Sequence, residues 1–146
     1  MSVVTFDILS RTYTPAPDHM LSIPCPEKWM NKNNRRRTHW SVDAKQTEVW
    51  RQAAGWAAKA SKLSALGPSL VVAELHVRDE IRGRVDPANF NLTACAAIDG
   101  LVDVGVWPDD SSQWVIGPDM RLGPAVAWNR EALVLLIWST PKAVAS

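Results

Sequence analysis

Between Asp86 and Met120 the chain carries six acidic residues and no Lys or Arg. A block that acidic needs a counterweight, and the natural ones are a bound cation and a basic segment elsewhere in the chain. The second is present. From Lys28 to Lys62 there are nine Lys or Arg against two acidic residues, Asp43 and Glu48, in a chain whose formal net charge is only +1. One region suits a polyanion and the other suits metal ions. A phosphodiester substrate needs both.

The 146 residues fit a single domain, 1–146, and the 47% hydrophobic and 21% charged content is that of a folded protein. Eight Trp is a high count; some belong in a core, the others at an interface or against a ligand. Cys25 and Cys95 make no disulfide framework, although they can in principle pair, and neither sits in a metal-ligand spacing. The first residues lack a basic, then apolar, leader. The longest apolar run, Ala132 to Trp138, suits a buried strand rather than a membrane span. The expectation is a soluble protein of a reducing cytoplasm, without membrane contact.

Hydropathy and turn signals give an ordered set of elements. Val3 to Leu9 reads as a strand, the four prolines of Thr14 to Pro26 as irregular chain with a short strand at Met20 to Ile23. The stretch 31–40, with Arg35, Arg36 and Arg37 in a row, reads as an exposed basic loop. Ser41 caps a helix running to about Lys62 with Val42, Val49, Ala53, Trp56, Ala57 and Ala60 as its apolar stripe, and Lys45, Arg51, Gln52 and Lys59 on its other face. Leu70 to Arg78 alternates as a half-buried strand. Asp86 caps a second helix with Pro87 at its first position, Phe90, Ala94, Ala97, Ile98 and Leu101 as its stripe, and Gly105 at its end. Gln113 to Ile116 reads as a short strand, Gly117 to Pro124 as a turn-rich loop, Val126 to Trp128 and Leu133 to Trp138 as a closing hairpin, and 141–146 as a flexible tail. This order predicts an α+β domain, a mixed or antiparallel sheet packed with two main helices.

The carboxylates are the candidates for chemistry. Mg²⁺ takes hard oxygen ligands and is held by one or two carboxylates plus substrate phosphate oxygens. Asp86 at a helix start and Asp109-Asp110 in the loop beyond the helix can converge; whether Asp99 joins them depends on that loop folding back. Each also has an ordinary reading: Asp86 as an N-cap, Asp109-Asp110 as a turn, Asp99 as a solvated or ion-paired residue. Lys32 to Arg37 is either a solvated surface or a nucleic-acid track, and His39 with Trp40 adds a phosphate contact and a stacking ring to the second reading. No Walker, G-x-G-x-x-G, C-x-x-C, H-x-x-x-H or G-x-S-x-G pattern is present, so nucleotide cofactors, zinc and a hydrolase elbow lack support.

The runs R-V-D-P-A-N-F, A-I-D-G-L-V-D-V-G-V and P-D-D, with R-T-H-W-S and G-P-D-M-R-x-G flanking them, resemble the RusA family of Holliday junction resolvases, especially its actinobacterial and phage branch. The likeness spans roughly Asn31 to Gly123. It implies an α+β homodimeric endonuclease that uses Mg²⁺, with Mn²⁺ as a substitute, to place paired symmetric nicks in four-way DNA junctions during recombination and repair in a bacterial cytoplasm. Residue by residue, it implies Asp86, Asp99 and Asp110 as catalytic metal ligands, with Asp109 and Asn89 in the metal set. Lys32, Arg35, Arg36, Arg37, His39, Lys45 and Arg51 would meet DNA. Cys95 departs from the pattern, standing where the family usually has a lysine. The alternatives are therefore a junction-binding protein of the same fold with weakened catalysis, and an interaction protein whose acidic and basic faces pair between subunits.

Overall fold

A computed structural model describes residues 3–30 and 40–140, with the side chains of 40–43 left aside. The basic run at Lys32, Arg35, Arg36, Arg37 and His39, and the tail 141–146, lie outside the described residues. The elements in order are β1 (Thr5–Asp7), β2 (Thr12–Thr14), β3 (His19–Pro24), α1 (Trp40–Ala60), β4 (Ser69–His76), α2 (Asp79–Arg82), a 3-10 turn (Pro87–Phe90), α3 (Asn91–Asp103), β5 (Val115–Leu122), a second 3-10 turn (Trp128–Arg130) and β6 (Ala132–Ser139). The predicted α+β class with a mixed sheet holds.

The sheet runs β3-β6-β4-β5. β6 is antiparallel to both β3 and β4, while β5 is parallel to β4. A parallel neighbour needs a crossover, and α3 supplies it. β6 is buried along nearly its whole length because both faces are covered. Leu133, Leu135 and Ile137 face the main core with Val71, Ala73 and Leu75 of β4, beneath α1 and α3. Val134, Leu136 and Trp138 face the other way with Val72, against Tyr13 of the β1–β2 hairpin. That hairpin is fastened by a Tyr13–Trp138 edge contact at 5.4 Å and by Trp138 Nε1 donating to the Pro15 carbonyl at 2.8 Å.

Three expectations need correction. The predicted closing hairpin does not form. β6 pairs with β3 and β4, Val126 makes only a parallel bridge to Arg78, and Trp128–Arg130 is a 3-10 turn. The predicted loop from Gly117 to Pro124 is mostly strand β5. Gly117-Pro118 sits at a register shift between β4 and β5, and β5 is an edge strand, where a residue lacking N–H is tolerated. In α1 the buried stripe is Trp50, Ala54 and Ala58, whereas Trp56 is 77% exposed. The stripe is rotated because α1 packs on α3 at Gly100, where a side-chain carbon would run into the Arg51 carbonyl oxygen.

Candidate metal and nucleic-acid site

The acidic block is arranged by the end of α3 and the chain that follows it. Gly105 takes a left-handed φ of +88°, which a side chain disfavours. Gly105 N donates to Val102 O at 3.0 Å and Val106 N to Leu101 O at 2.9 Å, the double cap that reverses a helix. Trp107 then plunges into the core, 1% exposed, and its Nε1 donates to Ser69 Oγ at 3.1 Å. Ser69 N donates to Trp114 O at 2.8 Å, so both arms of the 107–114 loop are tied to the start of β4. At the tip, Asp109 Oδ1 accepts Ser111 N at 2.8 Å, and these contacts hold the Asp109 carboxyl below its usual range.

This return brings Asp110 back onto α3. The Asp110 carboxyl lies within hydrogen-bonding reach of the half-buried Asp99 carboxyl. Burial first, and the charge of Asp110 second, push the Asp99 carboxyl above the usual carboxylate range, with Arg51 opposing them. Asp110 also lines a small recess of about 60 Å³ with Cys95, Ile98, Val115, Gly117 and Pro118. The Cys95 thiol, one turn before Asp99, is pushed up by burial and then by the charges of Asp99 and Asp110. Its Sγ reaches Asn91 Oδ1 at 3.4 Å. Both cysteines are free thiols.

Asp86 is placed differently. Its exposed side chain accepts Ala88 N at 3.1 Å and caps the Pro87–Phe90 turn, with Pro87 leading as the sequence predicts. Asn89 is half-buried in the same turn. Among the described residues no three His, Cys, Asp or Glu side chains are positioned to hold one metal ion. The structure thus gathers Asp99 and Asp110, but neither Asp86 nor Asp109 with them. The donor chemistry of the pair still suits Mg²⁺. Its hard oxygens are only partly offset by Arg51, and the remaining coordination positions would fall to water and phosphate oxygens.

Of the predicted DNA contacts that are described, Lys45 is exposed on α1. Arg51 is engaged by Asp103 of α3, through Nε to Oδ2 and through Nη2 to Oδ1 at 2.6 Å. Sequence reasoning overlooked Asp103, although its position one turn after Asp99 on the same helix was the available signal. The chain enters 31–39 from a fixed anchor. Thr93 Oγ1 donates to Met30 O at 3.0 Å and accepts Met30 N at 3.2 Å, while Trp50 Nε1 donates to Lys28 O at 2.8 Å. Trp29 meets Phe90 edge-on at 5.9 Å, which sets this anchor beside the turn that Asp86 caps.

The chain matches no family model, and no curated protein matches it. Among the described residues no helix is long and apolar enough to cross a membrane.

Proposed function

We propose that this chain is a Mg²⁺-dependent endonuclease of the RusA type that nicks four-way DNA junctions as a homodimer. The observation that carries the reading is the return of Asp110 onto α3, which sets an exposed carboxyl against the half-buried Asp99 carboxyl and pushes it above the usual range. A structural role would favour neutralising one member; a site for a divalent ion favours keeping both.

In this reading Asp99, fixed on a helix, and Asp110, exposed at the recess, would be the residues that hold the ion. When bound, Mg²⁺ lowers the pKa of an attacking water and stabilises the leaving oxygen. The tied 107–114 loop holds Asp110 at the surface, where a scissile phosphate could approach. The basic run Lys32 to Arg37 and His39, entering from the anchored Trp29-Met30, neutralises the junction arms together with Lys45. A two-fold dimer presents two such sites to the two opposed strands of a junction. Recombination and repair of DNA in a bacterial cytoplasm is the setting that this chemistry fits.

Asp86 enters the site only through the family resemblance. Asn is as good an N-cap as Asp, so Asp86→Asn separates the two roles. As a ligand, the variant loses cleavage while its melting temperature and junction binding stay unchanged; retained cleavage leaves Asp86 a cap.

A second reading, a junction binder with weakened catalysis, is favoured by one observation. Cys95, not a cation, lines the recess with Asp110. Incubation with a synthetic four-way junction and Mg²⁺ distinguishes the two. Paired nicks support the enzyme. Junction binding without nicks at any Mg²⁺ concentration supports the binder, and equal affinity for junction and plain duplex removes both.

A further inference from the structure

Arg51 leaves α1 toward α3 and is gripped at two points by Asp103, with one bond of 2.6 Å. Asp103 stands one helical turn beyond Asp99, so the gripped guanidinium is held on the helix face where its charge acts on the Asp99 carboxyl. The backbone fixes the place of this grip. Gly100, next to Asp99, is the point where α3 touches the Arg51 carbonyl and the Ala54 side chain, and no larger residue fits there. Among the described residues Arg51 is the cation that acts on Asp99, opposing its burial and the charges of Asp110 and Asp103. From α1 itself, Glu48 is the remaining acid acting on Arg51. A guanidinium held bidentately by a carboxylate is a fixed charge, unlike the freely ranging side chains of a polyanion track.

We propose that Arg51 is a positioning residue of the carboxyl pair: clamped by Asp103 beside Asp99, it sets the net charge that a divalent cation meets at Asp99 and Asp110, and it is not part of the surface that carries DNA. The inference rests on the metal reading above. Arg51 and Asp103 then act as a balanced couple. Removing the cation makes the pair more attractive to a divalent ion, and removing the carboxylate makes it less so. Damage to the helix crossing would instead weaken binding in both variants.

The test is a calorimetric titration of Mn²⁺ into the DNA-free protein, with the melting temperature recorded for each variant. Arg51→Gln binds Mn²⁺ roughly three- to tenfold more tightly, the size of one charge acting across about one helical turn in a solvated setting. Asp103→Asn binds it more weakly by a similar factor. In parallel, the salt dependence of junction binding in Ca²⁺ keeps its slope in Arg51→Gln, whereas loss of a phosphate contact lowers it by about one. Weaker Mn²⁺ binding in both variants, no change in either, or a lowered slope in Arg51→Gln overturns the proposal. Mn²⁺ binding that ignores Arg51 sinks this inference alone. No Mn²⁺ binding by the unaltered protein sinks the metal reading with it.

Discussion

Glu74 and Asp99 are both half-buried carboxylates on regular elements, and their surroundings are opposite. Glu74, on β4, is met by donors. Tyr13 Oη donates to its Oε2 at 2.9 Å and His76 Nε2 lies 3.0 Å from its Oε1. His76 foremost, with Tyr13, holds the Glu74 carboxyl below the usual range. Asp99, on α3, is met by another acid and is pushed above that range. One carboxylate fastens the β1–β2 hairpin to the sheet. The other is disfavoured as an anion by burial and by Asp110, a cost that Arg51 offsets in part and a bound cation would offset further. The contrast separates a carboxylate that serves the fold from the one assigned to chemistry in the proposed function.

The largest effect that sharpens this comparison is on cleavage. Asp110→Asn should lower Mg²⁺-dependent nicking of a four-way junction by roughly three orders of magnitude, as expected for loss of a metal ligand at the reacting phosphate, while junction binding persists. Glu74→Ala should leave the catalytic rate of the folded protein unchanged. It should destabilise the protein by about 1–3 kcal/mol in denaturant titration, because Tyr13 and His76 lose their shared acceptor. Equal damage to cleavage from both variants would erase the distinction. Asp86→Ala should cost about 1 kcal/mol through the lost cap.

The two carboxylates should also respond to pH with opposite sign. Glu74, lowered in the folded state, contributes stability above its unfolded pKa of 4.5 that is lost as pH falls through the folded value. Asp99, raised in the folded state, keeps its proton above its unfolded pKa of 3.8, so its contribution to stability is full below that value and is lost as pH rises from it through the folded value. The smallest effect follows from this. Without metal, Asp110→Asn should stabilise the protein near pH 7, by at most about 1 kcal/mol because both carboxyls are reached by solvent. Denaturant titrations at pH 4 and pH 7 read both signs, and a loss of stability in Asp110→Asn at pH 7 would contradict them.

Local chemistry was legible in the sequence wherever neighbours in the chain decide the outcome. The buried stripe Phe90, Ala94, Ala97, Ile98 and Leu101 and the alternating core positions Val71, Ala73, Leu75 and Val77 stand as read, and Asp86-Pro87 is a cap, though of the 3-10 turn that leads into α3 rather than of the helix itself. What escaped depends on distant partners. Gly117-Pro118 reads as a breaker, yet an edge position and a register shift let β5 run through it. Ala132–Ser139 reads as half of a local hairpin, yet its partners are β3 and β4. The same limit applies to the site. Asp99 and Asp110 are candidates in the sequence, but their meeting is not legible there, because the Gly105 reversal and the Trp107–Ser69 tie bring them together. Arg51 reads as a free cation on a polar helix face until α3 presents Asp103.

The claim that Asp99 and Asp110 form a metal site is tested most directly by Mn²⁺-induced broadening of amide signals in the DNA-free protein. The account predicts that Asp99, Asp110 and their recess neighbours Cys95 and Gly117 broaden first, and that Asp110→Asn abolishes the effect. Broadening centred elsewhere, or unchanged in Asp110→Asn, would contradict it.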